Sequence, residues 1–170
     1  MSSSYYYQLA AQAEADARAA QGTINTLTPQ LQHKQDQLRI AQEVQGKVSA
    51  LNGDNSTIDS SLSTLASAFS SDFNDDGANG GIHNLNSTFG GKIGAASQAC
   101  ADLITKLTNE INELQTSINN AISTRDSSYS AAASYRATAA AEARAEAEAA
   151  QKAAEDAAKA ANSNCTCPNC

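Results

Sequence analysis

Asp72-Phe73-Asn74-Asp75-Asp76-Gly77 sets carboxylate and amide oxygens on alternate residues ahead of a glycine, the opening half of a calcium loop. Asp72, Asn74 and Asp76 would turn their oxygens toward one hard divalent cation, and Gly77 would permit the sharp turn. The second half departs from that pattern. Asn79 stands at the eighth position and His83 at the twelfth, where a bidentate glutamate is needed. Asp and Asn also gather in ordinary turns because they bind backbone N–H groups. The segment therefore reads as a calcium site or as a plain acidic turn.

The second chemical cluster is the tail, where Cys165, Cys167 and Cys170 fall within six residues. C-x-x-C is a zinc or redox spacing, and C-x-C can share a metal. Three thiolates leave a tetrahedral site one ligand short, so zinc would need Cys100 or a second chain. Redox chemistry ordinarily sets C-x-x-C at a helix N-terminus, whereas this pair follows a helix. Inter-chain disulfides, a shared zinc site and an inert tail all fit.

The remaining reactive residues point away from catalysis. Cys100 stands on an aliphatic stripe, as a structural thiol does. His33 falls off the stripe of its own segment, and His83 has no Ser or Cys nucleophile near it in sequence. Tyr5, Tyr6 and Tyr7 suit either a partner contact or an anchor for the end of a helix pair. There is no phosphate loop, dinucleotide fingerprint, nucleophile elbow or catalytic carboxylate pair. The expectation is a protein that is not an enzyme and requires no cofactor, with calcium or zinc as the metals its clusters would take.

The elements around these clusters are helical. One apolar stripe reads Ile24, Leu27, Leu31, Leu38, Ala41, Val48, and another reads Cys100, Ile104, Leu107, Ile111, Leu114, Ile118, Ala121. The second steps by four and three in alternation, as a helix-on-helix seam requires. The predicted order is a first long helix over 4–51, a hinge over 52–91, a second long helix over 92–161 and a tail over 162–170. Asn52-Gly53-Asp54 supplies the stop signal for the first helix, and Pro29 should kink it. Within the hinge, Ile58, Leu62, Leu65 and Phe69 predict a short helix over about 57–69. Folded antiparallel, Leu51 would face about Ile93, Tyr5 would face about Ala139, and residues past about Ala140 would overhang.

Composition agrees. About one residue in five is alanine, there is no Trp, and only three Phe and five Tyr occur. Alanine favours helix but buries little area, so the expected fold is an all-α, elongated, coiled-coil-like antiparallel hairpin. A formal charge of −7 with no basic stripe disfavours nucleic acid. No apolar run reaches membrane-spanning length, and the N-terminus lacks the charged and apolar regions of a secretory signal. Two helices bury only one side each, so a helical partner or a second copy is expected. The residues expected to carry that contact are Ile104, Leu107, Ile111, Leu114 and Ile118, with Leu27, Leu31 and Leu38.

Asn86-Ser-Thr-Phe89-Gly90-Gly91-Lys92-Ile93 precedes the second seam. An aromatic, any residue, and glycine between two helices resembles the W-x-G turn of small type VII secretion proteins, with Phe89 in place of Trp and Gly91 as the glycine. The plan over about residues 5–125 is similar to the helical accessory partners of LXG toxins in bacteria. That resemblance implies a bacterial adaptor or co-secreted partner, made in the cytoplasm and then secreted or held at the surface without a cleaved signal. The family's Tyr-x-x-x-Asp/Glu export signal is missing: four residues past Tyr129 and Tyr135 stand Ala133 and Ala139. The alternative expectation is a self-assembling structural coil, cross-linked through the cysteine tail, with or without a calcium-binding hinge.

Overall fold

The computed structural model describes residues 2–69 and 76–163. Two helices account for nearly all of them: α1 spans Ser3–Phe69 and α2 spans Asp76–Ser163. They pack against each other as an all-α antiparallel hairpin, and no strand occurs among the described residues. Two compact units divide the chain, one of residues 1–26 with 117–170 and one of Leu27–Thr116.

What pairs the helices is a seven-residue repeat. On α1 the steps Ser3, Tyr6, Ala10, Ala13, Ala17, Ala20, Ile24, Leu27 continue through Leu31, Lys34, Leu38, Ala41, Gln45 and Val48, and every one is buried or half-buried. On α2 the same alternation of three and four runs from Asn86 to Glu142 without an exposed member. A repeat of 3.5 keeps one stripe facing the partner helix over many turns, where 3.6 would rotate it away.

The first unit is built on small side chains. Ala10, Ala13, Ala17 and Ala20 of α1 are buried, as are Ile118, Ala121, Ala132 and Ala139 of α2, with Ala17 and Ala139 at 0 % exposure. Methyl-sized seam residues allow the backbones close together and bury little area each. Polar pairs at the edge add direction. Arg125 Nη1 donates to Gln21 Oε1 at 3.0 Å, and Arg136 pairs with Glu14. Ser3 donates through its backbone N–H and its hydroxyl to the Glu146 carboxylate, at 3.0 and 2.8 Å. Helix α2 thus caps the N-terminus of α1, satisfying a donor that the helix itself leaves open. This contact reaches beyond the expected overhang at Ala140. Residues 144–162 are exposed throughout.

The second unit has larger seam residues and a looser seam. Ala41, Ile93 and Leu107 are its buried apolar residues. Lys34 Nζ lies 2.7 Å from Glu110 Oε2, and Asn86 Nδ2 donates to Asp59 Oδ1 at 2.9 Å. These pairs fix its antiparallel register: residue numbers rise along α1 as their partners' numbers fall along α2.

The expected hinge over 52–91 and the separate short helix over 57–69 are corrected here. Helix α1 continues through Asn52-Gly53-Asp54 to Phe69, and α2 already includes residues 76–91. A glycine stop needs a left-handed backbone, and no glycine among the described residues has a positive φ. One internal glycine costs only about 1 kcal/mol relative to alanine, which neighbours on the seam can offset. The polar run beyond it also stays satisfied within the helix. Thr57, Ser60, Ser61 and Thr64 each donate a hydroxyl to the carbonyl four residues back, at 2.9–3.1 Å. Pro29 likewise lies inside α1, on an exposed position where water can take the carbonyl it leaves free.

Because residues 86–94 are helical, their glycines become a test. A Cβ on Gly91 would meet nothing within 4 Å, whereas one on Gly90 would lie 3.1 Å from Asn55 Nδ2. Gly91→Ala should therefore stabilise the protein by about 0.5–1 kcal/mol in denaturant unfolding, and Gly90→Ala should gain less. Destabilisation by Gly91→Ala would place that residue in a turn instead.

Candidate functional site

The eight residues expected to bind a partner lie on the seam between the protein's own helices. Leu107 and Ile118 are buried there; Leu27, Leu31, Leu38, Ile104, Ile111 and Leu114 are half-buried. Their apolar surface is largely spent on pairing α1 with α2. What remains exposed lies beside the seam and has its own spacing.

Labelling the seam positions a and d of a heptad abcdefg, with Leu38 and Gly90 at a, gives each flank a letter. On α1 the g positions Val44, Leu51, Ile58 and Leu65 follow one another at seven-residue intervals and are 42–55 % exposed. Ile40, at the adjoining c position, is also exposed. On α2 the exposed apolar residues of the same unit are Phe89 and Leu103 at g and Leu85 at c. In an antiparallel pair, reversing one helix brings its g flank beside the g flank of the other. Two grooves bear this out. One, of about 370 Å³, has Ile40, Ala41, Val44, Cys100, Leu103 and Leu107 on its walls, with Gln37, Lys106 and the Lys34–Glu110 pair beside them. Another, of about 360 Å³, is lined by Asn55, Ile58, Leu62, Leu85, Asn86 and Phe89.

The opposite flank is unlike this one. Its grooves are mostly polar: Ser49, Asn52, Gly94, Ser97 and Gln98 line one with Ile93 and Ala101, and Asn55, Ser56, Asp59, Asn86 and Ser87 line the other with Gly90. The unit Leu27–Thr116 therefore has one mainly apolar side and one mainly polar side. Of the eleven large apolar residues exposed among the described residues, eight lie in this unit on its g and c positions. Apolar residues that recur on one flank at this spacing differ from the single apolar residues scattered over an ordinary surface. The first unit's counterpart groove is mixed, with Gln12, Asp16, Ser127 and Ser128 beside Leu9 and Tyr135.

Asn55 sits where these features meet. It is half-buried at a d position opposite Gly90, and its Oδ1 is buried without a hydrogen-bond partner. A buried amide at a seam position is costly unless paired, and it favours one register over its neighbours.

Phe89 and Gly91, expected to form a turn, lie inside α2: Phe89 is exposed on the apolar flank and Gly91 is exposed. Cys100, expected to be buried, is half-buried at the mouth of the first groove. Tyr5 and Tyr6 make an edge-on ring contact at 5.6 Å, with Tyr6 on the seam and Tyr7 exposed. Asp72, Asn74, Cys165, Cys167 and Cys170 lie outside the described residues, and Asp76 opens α2. Among the described residues, no three His, Cys, Asp or Glu side chains gather closely enough to hold a metal ion. No described helix is long and apolar enough to cross a membrane.

The sequence reading passed over the g stripe. Its signal was present in the seven-residue spacing of Val44, Leu51, Ile58 and Leu65, which runs straight through the supposed stop at Gly53.

Fold and flank together define a class, a two-helix antiparallel coiled coil with an uncovered apolar side. Comparison with known protein families, curated proteins and solved structures finds no match.

Two carboxylates are tuned by the pairing. Glu110 is held below the usual carboxylate range, first by its hydrogen bond from Lys34 and further by the charges of Lys34 and Lys106, against some desolvation. Glu146 is lowered by the backbone and hydroxyl hydrogen bonds from Ser3. A carboxylate with a lowered folded-state pKa adds stability above its ordinary value of 4.5 and loses it as pH falls through the folded value. The wild type should thus be more stable than a Glu110→Gln/Glu146→Gln variant at about pH 6, with the gap closing toward about pH 3. A gap that stays constant in pH-dependent thermal melts would contradict the assignment.

Proposed function

We propose that this chain is a non-enzymatic helix-pairing protein, whose unit Leu27–Thr116 buries its apolar flank against the helices of another polypeptide chain. The observation that supports this reading is the exposure of Val44, Leu51, Ile58 and Leu65 on α1 beside Phe89 and Leu103 on α2. Burial of apolar area at about 25 cal/mol per Å² is the dominant favourable term in such association. A two-helix hairpin gains most from it, because each helix otherwise covers only one side. The work of the protein on this reading is recognition through packing, with no bond made or broken.

The sequence resemblance points to a helical toxin domain bound for type VII export as the partner. The position of Phe89 and Gly91 within α2 lends that narrower identity no support, since the turn on which it rests is not made there.

A photo-crosslinking amino acid at Ile58 or at Leu103 tests the reading in the cells that produce the chain. Both positions should yield a covalent protein adduct, while the same probe at Ser49, on the polar flank, should not. Absence of adducts at Ile58 and Leu103, or equal labelling from both flanks, would overturn it.

A further inference from the structure

The apolar flank is bordered by charges, and their arrangement selects a partner. Along the outer c positions, α1 presents Ile40, Lys47 and Asp54, and α2 presents Lys92, Ala99 and Lys106. The register of this unit sets their heights. Lys34 meets Glu110, Asn55 opposes Gly90, and Asp59 meets Asn86. Asp54 is therefore level with Lys92, Lys47 with Ala99, and Ile40 with Lys106, on opposite outer edges of one hairpin. Asp54 and Lys92 are both exposed.

We infer that the occupant of the apolar flank is a second copy of this chain, related to the first by a two-fold axis running parallel to the helices. This rests on the helix-pairing reading and names its partner. The operation keeps every residue at its height and exchanges left for right. The outer edge of α1 in one copy then meets the outer edge of α2 in the other. Asp54 of each copy comes beside Lys92 of the second copy, making two symmetric ion pairs. Lys47 and Lys106 come beside Ala99 and Ile40, where their aliphatic stems can lie on apolar surface and their ammonium groups reach water. No two like charges meet on these edges. Between the edges, Val44, Leu51 and Ile58 close over Phe89 and Leu103 as the core of a four-helix bundle.

Stoichiometry follows from the other flank. Its grooves are mostly polar, so each hairpin offers one mainly apolar side and the assembly closes at two chains. An isologous contact with a two-fold axis is the commonest closed arrangement.

The full-length chain should sediment and scatter light as a dimer. Asp54→Lys and Lys92→Asp should each weaken dimerisation by about tenfold, since two ion pairs become two repulsions, with helicity by circular dichroism unchanged. Mixing the two variants should restore affinity through a heterodimer, because both contacts are then opposite in charge. A variant effect that arises within one chain would not be rescued by mixing. A dimer indifferent to both reversals, or not restored on mixing, would overturn this arrangement. A monomeric chain whose probe at Ile58 joins a different protein would overturn self-pairing and leave the helix-pairing reading standing. A monomer with no adduct from Ile58 would remove both.

Discussion

The structure depends on one constraint: each helix must keep a 3.5-residue stripe facing the other, with a sequence poor in large apolar residues. The repeat itself is kept faithfully, from Ser3 to Val48 on α1 and from Asn86 to Glu142 on α2. What varies is the mass that fills it. Among the described residues no large side chain is fully buried. The seam orders the helices without supplying the deep core that ordinarily stabilises a domain of this length.

The two units meet that shortage differently. In the first, alanine on both helices lets the backbones approach, and the edges carry a cap from Glu146 to Ser3, an ion pair from Arg136 to Glu14 and the Arg125–Gln21 bond. Its groove is mixed, and the large apolar residues it exposes are the tyrosines Tyr5, Tyr7 and Tyr129. In the second, Leu and Ile enter the seam but alternate with Lys34, Gln45, Asn52 and Asn55. The apolar residues denied a place there appear at g instead, on one flank. A sequence that places Val44, Leu51, Ile58 and Leu65 off the seam while keeping them in phase gives up cohesion within the chain and leaves apolar surface exposed on one flank.

Much of this was legible in the sequence. The alternation of steps from Cys100 to Ala121 announced a helical seam, and the alanine content announced helices with thin cores. The antiparallel hairpin follows from those two features. The extent of the helices was not legible, for a physical reason. Gly53, Gly90 and Gly91 carry the composition of a hinge, but composition reports only what a backbone is free to do. Inside a helix already held by its neighbours, a glycine keeps ordinary negative φ and costs a fraction of what the seam returns. The aromatic at Phe89 suffered the same misreading: beside glycines it suggested a turn, whereas its heptad position puts it on the apolar flank. The apolar flank was not legible because seam residues and flank residues are equally apolar, and only the phase of the repeat separates them.

Helix α1 runs unbroken through Gly53, with exposed polar residues at the seam positions Asn52 and Asp59 and one apolar flank uncovered beside them. A nitroxide scan from Val44 to Ile58 reads this arrangement most directly, one labelled position at a time in the full chain. Mobility should oscillate with a helical period across Asn52-Gly53-Asp54. Labels at Leu51 and Ile58 should also slow as the protein is concentrated, while those at Ser49 and Ser56 remain fast. Loss of the period at Gly53, or equal mobility on both flanks at every concentration, would contradict this arrangement.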